Sequence, residues 1–355
     1  MLASVRVLRA TAALLVVLYH VQIMLASRPE QVSNLGASGV DVFFVISGFI
    51  MMYGQYDNFQ SPGASKWFIR NRIIRIVPLY YLFTTLSIFI LLVLPSLYAN
   101  LRFDLKQAIF SYLFLFSTNS AGQAGMIVGV AWTLAYEMFF YVLFTILLRY
   151  PRKYAVPGLF GIFLFGNVFT FALGLNQAIL TVFSHTITFE FIFGCIIALA
   201  VRRRLTPPLV VSFVLVGLGV LGLVLTSSFG LLVNYDDNTR FLVYGVPAAA
   251  LVGGAVFLES AGLRVLRAPR WLLLVGDSSY SLYLAHQYAL AIFAVAILPL
   301  GVKLGVPPLV TGTFAALLCV LVGFTCYSLF ERPAASYLGR WRRRTRVQGN
   351  ETQTT

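Results

Sequence analysis

The chain has 355 residues, 59% of them hydrophobic and 11% charged, with a mean hydropathy of +0.85. A soluble globular protein carries nearer a quarter charged residues. These proportions exclude a disordered chain, an ordinary soluble enzyme and a disulfide-stapled module, and leave a polytopic membrane protein.

Ten segments are long and apolar enough to cross a membrane: 7–26, 39–55, 77–96, 129–148, 155–175, 183–201, 208–229, 241–259, 278–298 and 309–329. Each approaches the roughly 20 residues that a spanning helix needs. The expected fold is therefore all-α, a bundle of about ten transmembrane helices. The first segment follows Arg6 and Arg9 as a signal peptide would. It lacks a small-residue cleavage site and contains His20, so a retained span is expected.

The net charge is +14. The basic residues stand in short clusters between apolar runs, not in one stripe, so nucleic acid is not an expected partner. With both termini in the cytoplasm, 21 of the 26 basic residues fall inside. Among them are Lys66, Arg70, Arg72, Arg75, the triplet 202–204, Arg264, Arg267 and Arg270. Five remain outside: Arg28, Arg102, Lys106, Arg240 and Lys303. The positive-inside rule selects this orientation.

An eleventh apolar run, 107–118, would reverse every later loop if it crossed. It is expected to lie in an outer loop, 97–128, either re-entrant or flat on the surface. The segment 64–76 sets Arg70, Arg72 and Arg75 among Trp67, Phe68, Ile69 and Ile73, with Pro78 opening the third span. Such a segment fits anionic lipid or a phosphorylated donor. Residues 1–335 form the expected membrane domain and 336–355 a disordered basic and polar tail.

Cys195, Cys319 and Cys326 lie within apolar runs, and no CxxC or HExxH spacing exists. Neither a disulfide framework nor a metal site is expected.

Ionisable residues inside apolar spans are costly and mark function or buried ties between helices. Arg9 and His20 are eleven residues apart, about 16 Å and nearly three turns on one face. His20, Asp41 and Glu137 fall at similar depths on three spans, which suggests one site. Imidazole titrates near neutrality, so His20 is the candidate general base, oriented by Asp41 or Glu137. Glu190, His185 and His286 are weighed as a second polar patch, interface anchors or further site residues. Gly36, Gly39 and Gly48 are read as tight packing that buries Asp41 against the first span.

Six segments carry a family resemblance: LRATAALLVVLYHV (8–21), GVDVFFVISGFIM (39–51), FIRNRIIRIVPLYY (68–81), WTLAYEMFFYVLF (132–144), FEFIFGCIIA (189–198) and SYSLYLAHQ (279–287). In this order they resemble the membrane-bound acyltransferase 3 family, notably its exopolysaccharide and O-antigen O-acetyltransferase branch. Trp132 and Glu137 match its Trp-x-Leu-x-x-Glu-x-x-Phe-Tyr element. Asn71 stands where many relatives carry another arginine.

The resemblance implies a bacterial inner-membrane enzyme with no resident cofactor. Acetyl-CoA, or another acyl-CoA, is the implied cytoplasmic donor, and a hydroxyl of a polysaccharide or lipid-linked glycan the acceptor. Arg9, Arg70, Arg72 and Arg75 would meet the donor's phosphates. A covalent acyl-histidine or acyl-serine relay stays open. About 25 residues follow the last span, so direct transfer from the membrane domain is expected. The rival readings are a transporter or flippase of lipid-linked sugar and a membrane scaffold.

Overall fold

The computed structural model describes residues 2–28, 32–95, 102–120, 122–175, 177–205, 207–228, 239–263, 268–334 and 336–337. Arg264, Arg267 and nearly all of the expected tail lie outside them.

The chain is an α-helical bundle. Its long helices are α1 (Ala3–Leu25), α2 (Gly39–Gln55), α3 (Ala64–Val93), α5 (Trp132–Leu147), α6 (Ala155–Ala172), α8 (Phe189–Arg202), α9 (Leu209–Ser228), α10 (Val246–Ser260), α12 (Ser279–Ile292) and α14 (Pro308–Cys326). Shorter pieces are α4 (Leu105–Tyr112), α7 (Thr181–Ser184), α11 (Arg270–Asp277) and α13 (Leu298–Lys303). A two-stranded antiparallel ribbon, β1 (Ser117–Thr118) with β2 (Ala124–Gly125), is a small addition to the all-α expectation.

Nine of the described helices are long and apolar enough to cross a membrane, and α7 with α8 make a tenth if counted as one bent span. Large apolar side chains such as Phe165, Phe171 and Leu309 face outward, exposed by 69%, 83% and 83%. That exterior suits lipid, not water.

The structure corrects or refines the reading of the spans in four places. First, α3 begins at Ala64, and Pro78 lies within it, not at its start. Phe68, Ile76 and Leu79 bury one face of this helix, so the arginine segment is its N-terminal half and not a separate helix. Second, span 183–201 is broken at His185, where α7 and α8 meet at 49°.

Third, three helices contain π-turns, at Phe241–Gly245, Phe293–Ile297 and Tyr327–Glu331. Each is followed two residues later by a proline: Pro247, Pro299 or Pro333. Proline has no N–H, and its ring crowds the carbonyl four residues back, so the ladder slips to a wider turn.

Fourth, the run 107–118 divides. Leu105 and Ile109 on α4 and Leu113 just after it are exposed, as on a surface helix, while Gln107 and Ser111 are buried. Phe114, Phe116 and 126–128 then tuck into the core. The first half is thus a helix with an exposed apolar face, and the second half packs into the bundle.

The most enclosed helix is α2, and its glycines explain why. A Cβ on Gly48 would stand 1.9 Å from the Phe191 carbonyl oxygen of α8, and one on Gly194 1.9 Å from that of Val45. These contacts let the two backbones touch. Gly36 and Gly39 do pack against α1, as expected, whereas Gly48 packs on α8. Gly48→Ala is expected to lower stability by at least about 3 kcal/mol, the upper end for overpacking, because backbone must move. A thermal unfolding midpoint in detergent equal to wild type would refute this.

Candidate active site

A cleft runs along α2 from Val40 to Met51, about 16 Å by helix rise. It encloses about 750 Å³, including the space where it opens outward. Apolar side chains of α2 form much of its wall, and three guanidiniums enter it: Arg9 from α1, Arg72 and Arg75 from α3.

Each arginine is held differently. Arg9 is buried and donates from Nε and Nη2 to Ser279 Oγ at 3.1 and 2.8 Å. Arg75 lies 3.7 Å from Glu331, which also accepts from Ser281 at 2.8 Å. Arg72 stands 5.7 Å from the ring centres of both Phe68 and Tyr141. Its buried Nε has no hydrogen-bond partner among the described residues. Arg72 and Arg75 share one helix face, three residues apart. Arg70 is two residues from Arg72, faces elsewhere and does not line the cleft.

Glu137 is the cleft's carboxylate. Its Oε1 accepts from Ser47 Oγ at 2.9 Å and from the Tyr141 hydroxyl. Ser47 and Tyr141 were not singled out from sequence; a serine in an apolar helix and a tyrosine one turn from a glutamate carry little signal alone. Trp132 packs by its edge against Phe44 and Tyr136, with centroids 6.5 and 5.9 Å away.

Asp41 is fully buried in a two-pronged pair with Arg240, with Nε–Oδ1 and Nη2–Oδ2 both 2.9 Å. The sequence alone suggests an outer loop for Arg240, because an arginine one residue before an apolar run reads as a boundary. Glu190 is also fully buried, close to Asp41 and within the field of Arg240. His185 faces Tyr136 across 6.0 Å, outside this cluster.

Arg240→Gln is expected to cost about 3–5 kcal/mol, the usual penalty for stranding a buried charge. The double variant Asp41→Asn with Arg240→Gln should regain part of it. Additive losses in thermal unfolding would show that the pair is not coupled.

His20 meets neither carboxylate. Its Nδ1 lies 2.9 Å from the Val16 carbonyl, and its ring stands edge-on to His286 at 4.8 Å between centroids. The expected convergence of His20, Asp41 and Glu137 therefore fails. The cause is where α2 and α5 begin. Cβ positions on Gly36 and Gly39 would lie 2.5 and 2.4 Å from the Leu15 and Ala12 carbonyl oxygens, so α2 starts level with the middle of α1. That sets Asp41 roughly 12 Å further in than His20 by helix rise. Glu137, bonded to Ser47, is deeper again.

Tyr283 stands between the cleft and the histidines. Its hydroxyl donates to the Val130 carbonyl at 2.9 Å and meets Thr133 Oγ1 at 2.9 Å. Its ring is 6.1 Å from Phe43 and 6.0 Å from His286. Phe43, Thr133 and Tyr283 line the cleft on the side of the histidines, and the arginines line it further along α2.

Residues 2–328 match the family described as "Acyltransferase domain". The chain is 35% identical over 303 residues to the exopolysaccharide production protein ExoZ of Rhizobium meliloti, covering 84% of this chain and 90% of ExoZ. It is 26% identical over 313 residues to the O-acetyltransferase OatA of Staphylococcus aureus strain NCTC 8325, covering 81% of this chain and 50% of OatA. This chain thus spans half of OatA's length. No solved structure matches.

Proposed function

Because the chain belongs to the acyltransferase domain family, an O-acyltransferase of the bacterial plasma membrane, we propose that it moves an acetyl group from cytoplasmic acetyl-CoA to a polysaccharide. The acceptor is a hydroxyl of an extracytoplasmic or lipid-linked glycan, and His20 is the general base. The acetyl group and the exopolysaccharide come from the names of OatA and ExoZ.

The observation that carries the proposal is the cleft itself. Three arginines line it, and Tyr283, which also lines it, stands 6.0 Å from the His286 ring. Arginine matches phosphate geometry, so Arg9, Arg72 and Arg75 would hold the anionic end of the donor. The acyl end would extend along α2 past Phe43 and Thr133.

His20 Nε2 takes the proton of the acceptor hydroxyl as its oxygen attacks the thioester carbonyl. The carbon–sulfur bond breaks, the ester forms, and the thiolate regains a proton. Glu137 balances charge among the arginines and fixes Tyr141, in place of the role beside His20 that sequence suggested. Asp41 with Arg240 secures the start of α2.

In this reading both termini are cytoplasmic, and residues 1–335 form one catalytic membrane domain. A reporter fused after Arg204 should read as cytoplasmic; a periplasmic signal would reverse the topology. The activity test uses purified protein in lipid nanodiscs with acetyl-labelled acetyl-CoA and the host's surface polysaccharide. Label entering polysaccharide is expected. Its absence, with intact protein and competent acceptor, would remove the proposed donor–acceptor pair and reopen the transport reading.

A further inference from the structure

The two histidines of the site carry matching hydrogen-bond patterns. His286 is fully buried on α12, and its Nδ1 lies 2.7 Å from the Tyr283 carbonyl. A carbonyl only accepts, so Nδ1 of the neutral ring carries the hydrogen and Nε2 the lone pair. His20 Nδ1 faces the Val16 carbonyl at 2.9 Å, which leaves its Nε2 as the lone pair too. The rings stand 4.8 Å apart at 66°. His286 Nε2 is buried with no hydrogen-bond partner among the described residues. A buried acceptor left unsatisfied costs about 1–3 kcal/mol. Two lone pairs cannot bond one another, but one added proton makes them donor and acceptor.

We propose that His286 is the proton partner of His20: the proton that His20 draws from the acceptor hydroxyl is shared with His286 Nε2 during transfer. This rests on the reading of His20 as the base.

The step balances. The acceptor O–H bond breaks as its oxygen bonds to the acyl carbon, and the proton passes to His20 Nε2. The cationic ring then donates that proton towards His286 Nε2. When the carbon–sulfur bond breaks, the proton returns through His20 to the departing thiolate. Ester and free thiol are the products, and both imidazoles end neutral. His286 touches no reacting atom in this scheme; it is a positioning residue that acts through His20. The Nδ1–carbonyl bonds hold both rings in the tautomer this needs.

The test is steady-state transfer in nanodiscs with acetyl-CoA and the host's surface polysaccharide, comparing wild type, His286→Asn and His20→Asn. Asparagine places an amide near Nδ1, keeping the bond to Tyr283 while removing Nε2. His286→Asn is expected to lower kcat about 100-fold, the low end for a positioned acid–base group, with donor KM within about twofold. A kcat within about threefold of wild type would overturn the proposal.

Should that variant fail to fold, 15N NMR of the histidine-labelled wild type in nanodiscs decides the matter. On acidification the Nε2 resonances of His20 and His286 should shift together, as for one shared proton, and a shift of His20 Nε2 alone would overturn the proposal. His20→Asn separates the two readings. If it is inactive while His286→Asn is fully active, only the proton partner is lost. If His20→Asn keeps its activity, the reading of His20 as base has failed.

Discussion

His20→Ala is expected to reduce acyl transfer by about 10²–10⁴-fold, the contribution of a positioned general base. Protein yield and thermal midpoint should stay near wild type. The His20 side chain is half-buried, its bond runs to a carbonyl of its own helix, and its ring contacts are Tyr19 and His286. Removing it strands no buried charge and opens little of the core. His20→Gln should be equally inactive, since an amide cannot take the proton. Yield measured by immunoblot, with transfer measured on the same membranes, separates chemistry from folding. Loss of protein alongside activity would assign His20 to a tie between helices. Near-normal transfer by His20→Gln would remove it from the chemistry.

Arg72→Ala should raise the donor's KM by roughly 10–150-fold, which corresponds to a charge-assisted hydrogen bond of about 1.5–3 kcal/mol. Arg72 is chosen over its neighbours because of what holds it. Arg9 is held by Ser279 and Arg75 by Glu331, whereas Arg72 meets Tyr141 and Phe68 and keeps a buried Nε unpaired among the described residues. It is the cleft cation most able to accept a new partner. Arg72→Lys should recover only part of the affinity, because lysine offers a point charge without a planar fork. Arg70→Ala, at a residue outside the cleft, should change KM by less than about twofold, as for exposed pairs. Donor titrations at saturating acceptor measure all three. Equal effects at Arg70 and Arg72 would mean that general positive charge, and not the cleft, attracts the donor.

The number and order of the membrane helices were legible because each requirement is local. A run of about 20 apolar residues has nowhere to satisfy its backbone in lipid except a helix of its own. The ten runs read from sequence correspond to the long helices and the bent pair α7–α8. The arginine segment was equally legible in content, but its continuity with α3 was not. Pro78 reads as a helix start, yet burial of Phe68 and Ile76 on the same face extends the helix through it.

The candidate residues were found one by one, because an ionisable side chain in an apolar span stands out by its cost. Who partners whom was not legible. Equal spacing from the loop ends suggested equal depths for His20, Asp41 and Glu137. In the folded chain Gly36 and Gly39 let the entry to α2 drop against the middle of α1, and α5 starts beneath the buried residues Met126, Ile127, Val128, Val130 and Ala131.

Composition and hydropathy by themselves therefore determined a helical membrane protein, its spans and the identity of its costly side chains. Only the tertiary structure decided that Asp41 pairs with Arg240, that Glu137 joins the arginine cleft and that His20 faces His286. The reason is physical. Insertion into lipid is settled segment by segment, whereas a helix's depth and rotation depend on the close packing of its neighbours.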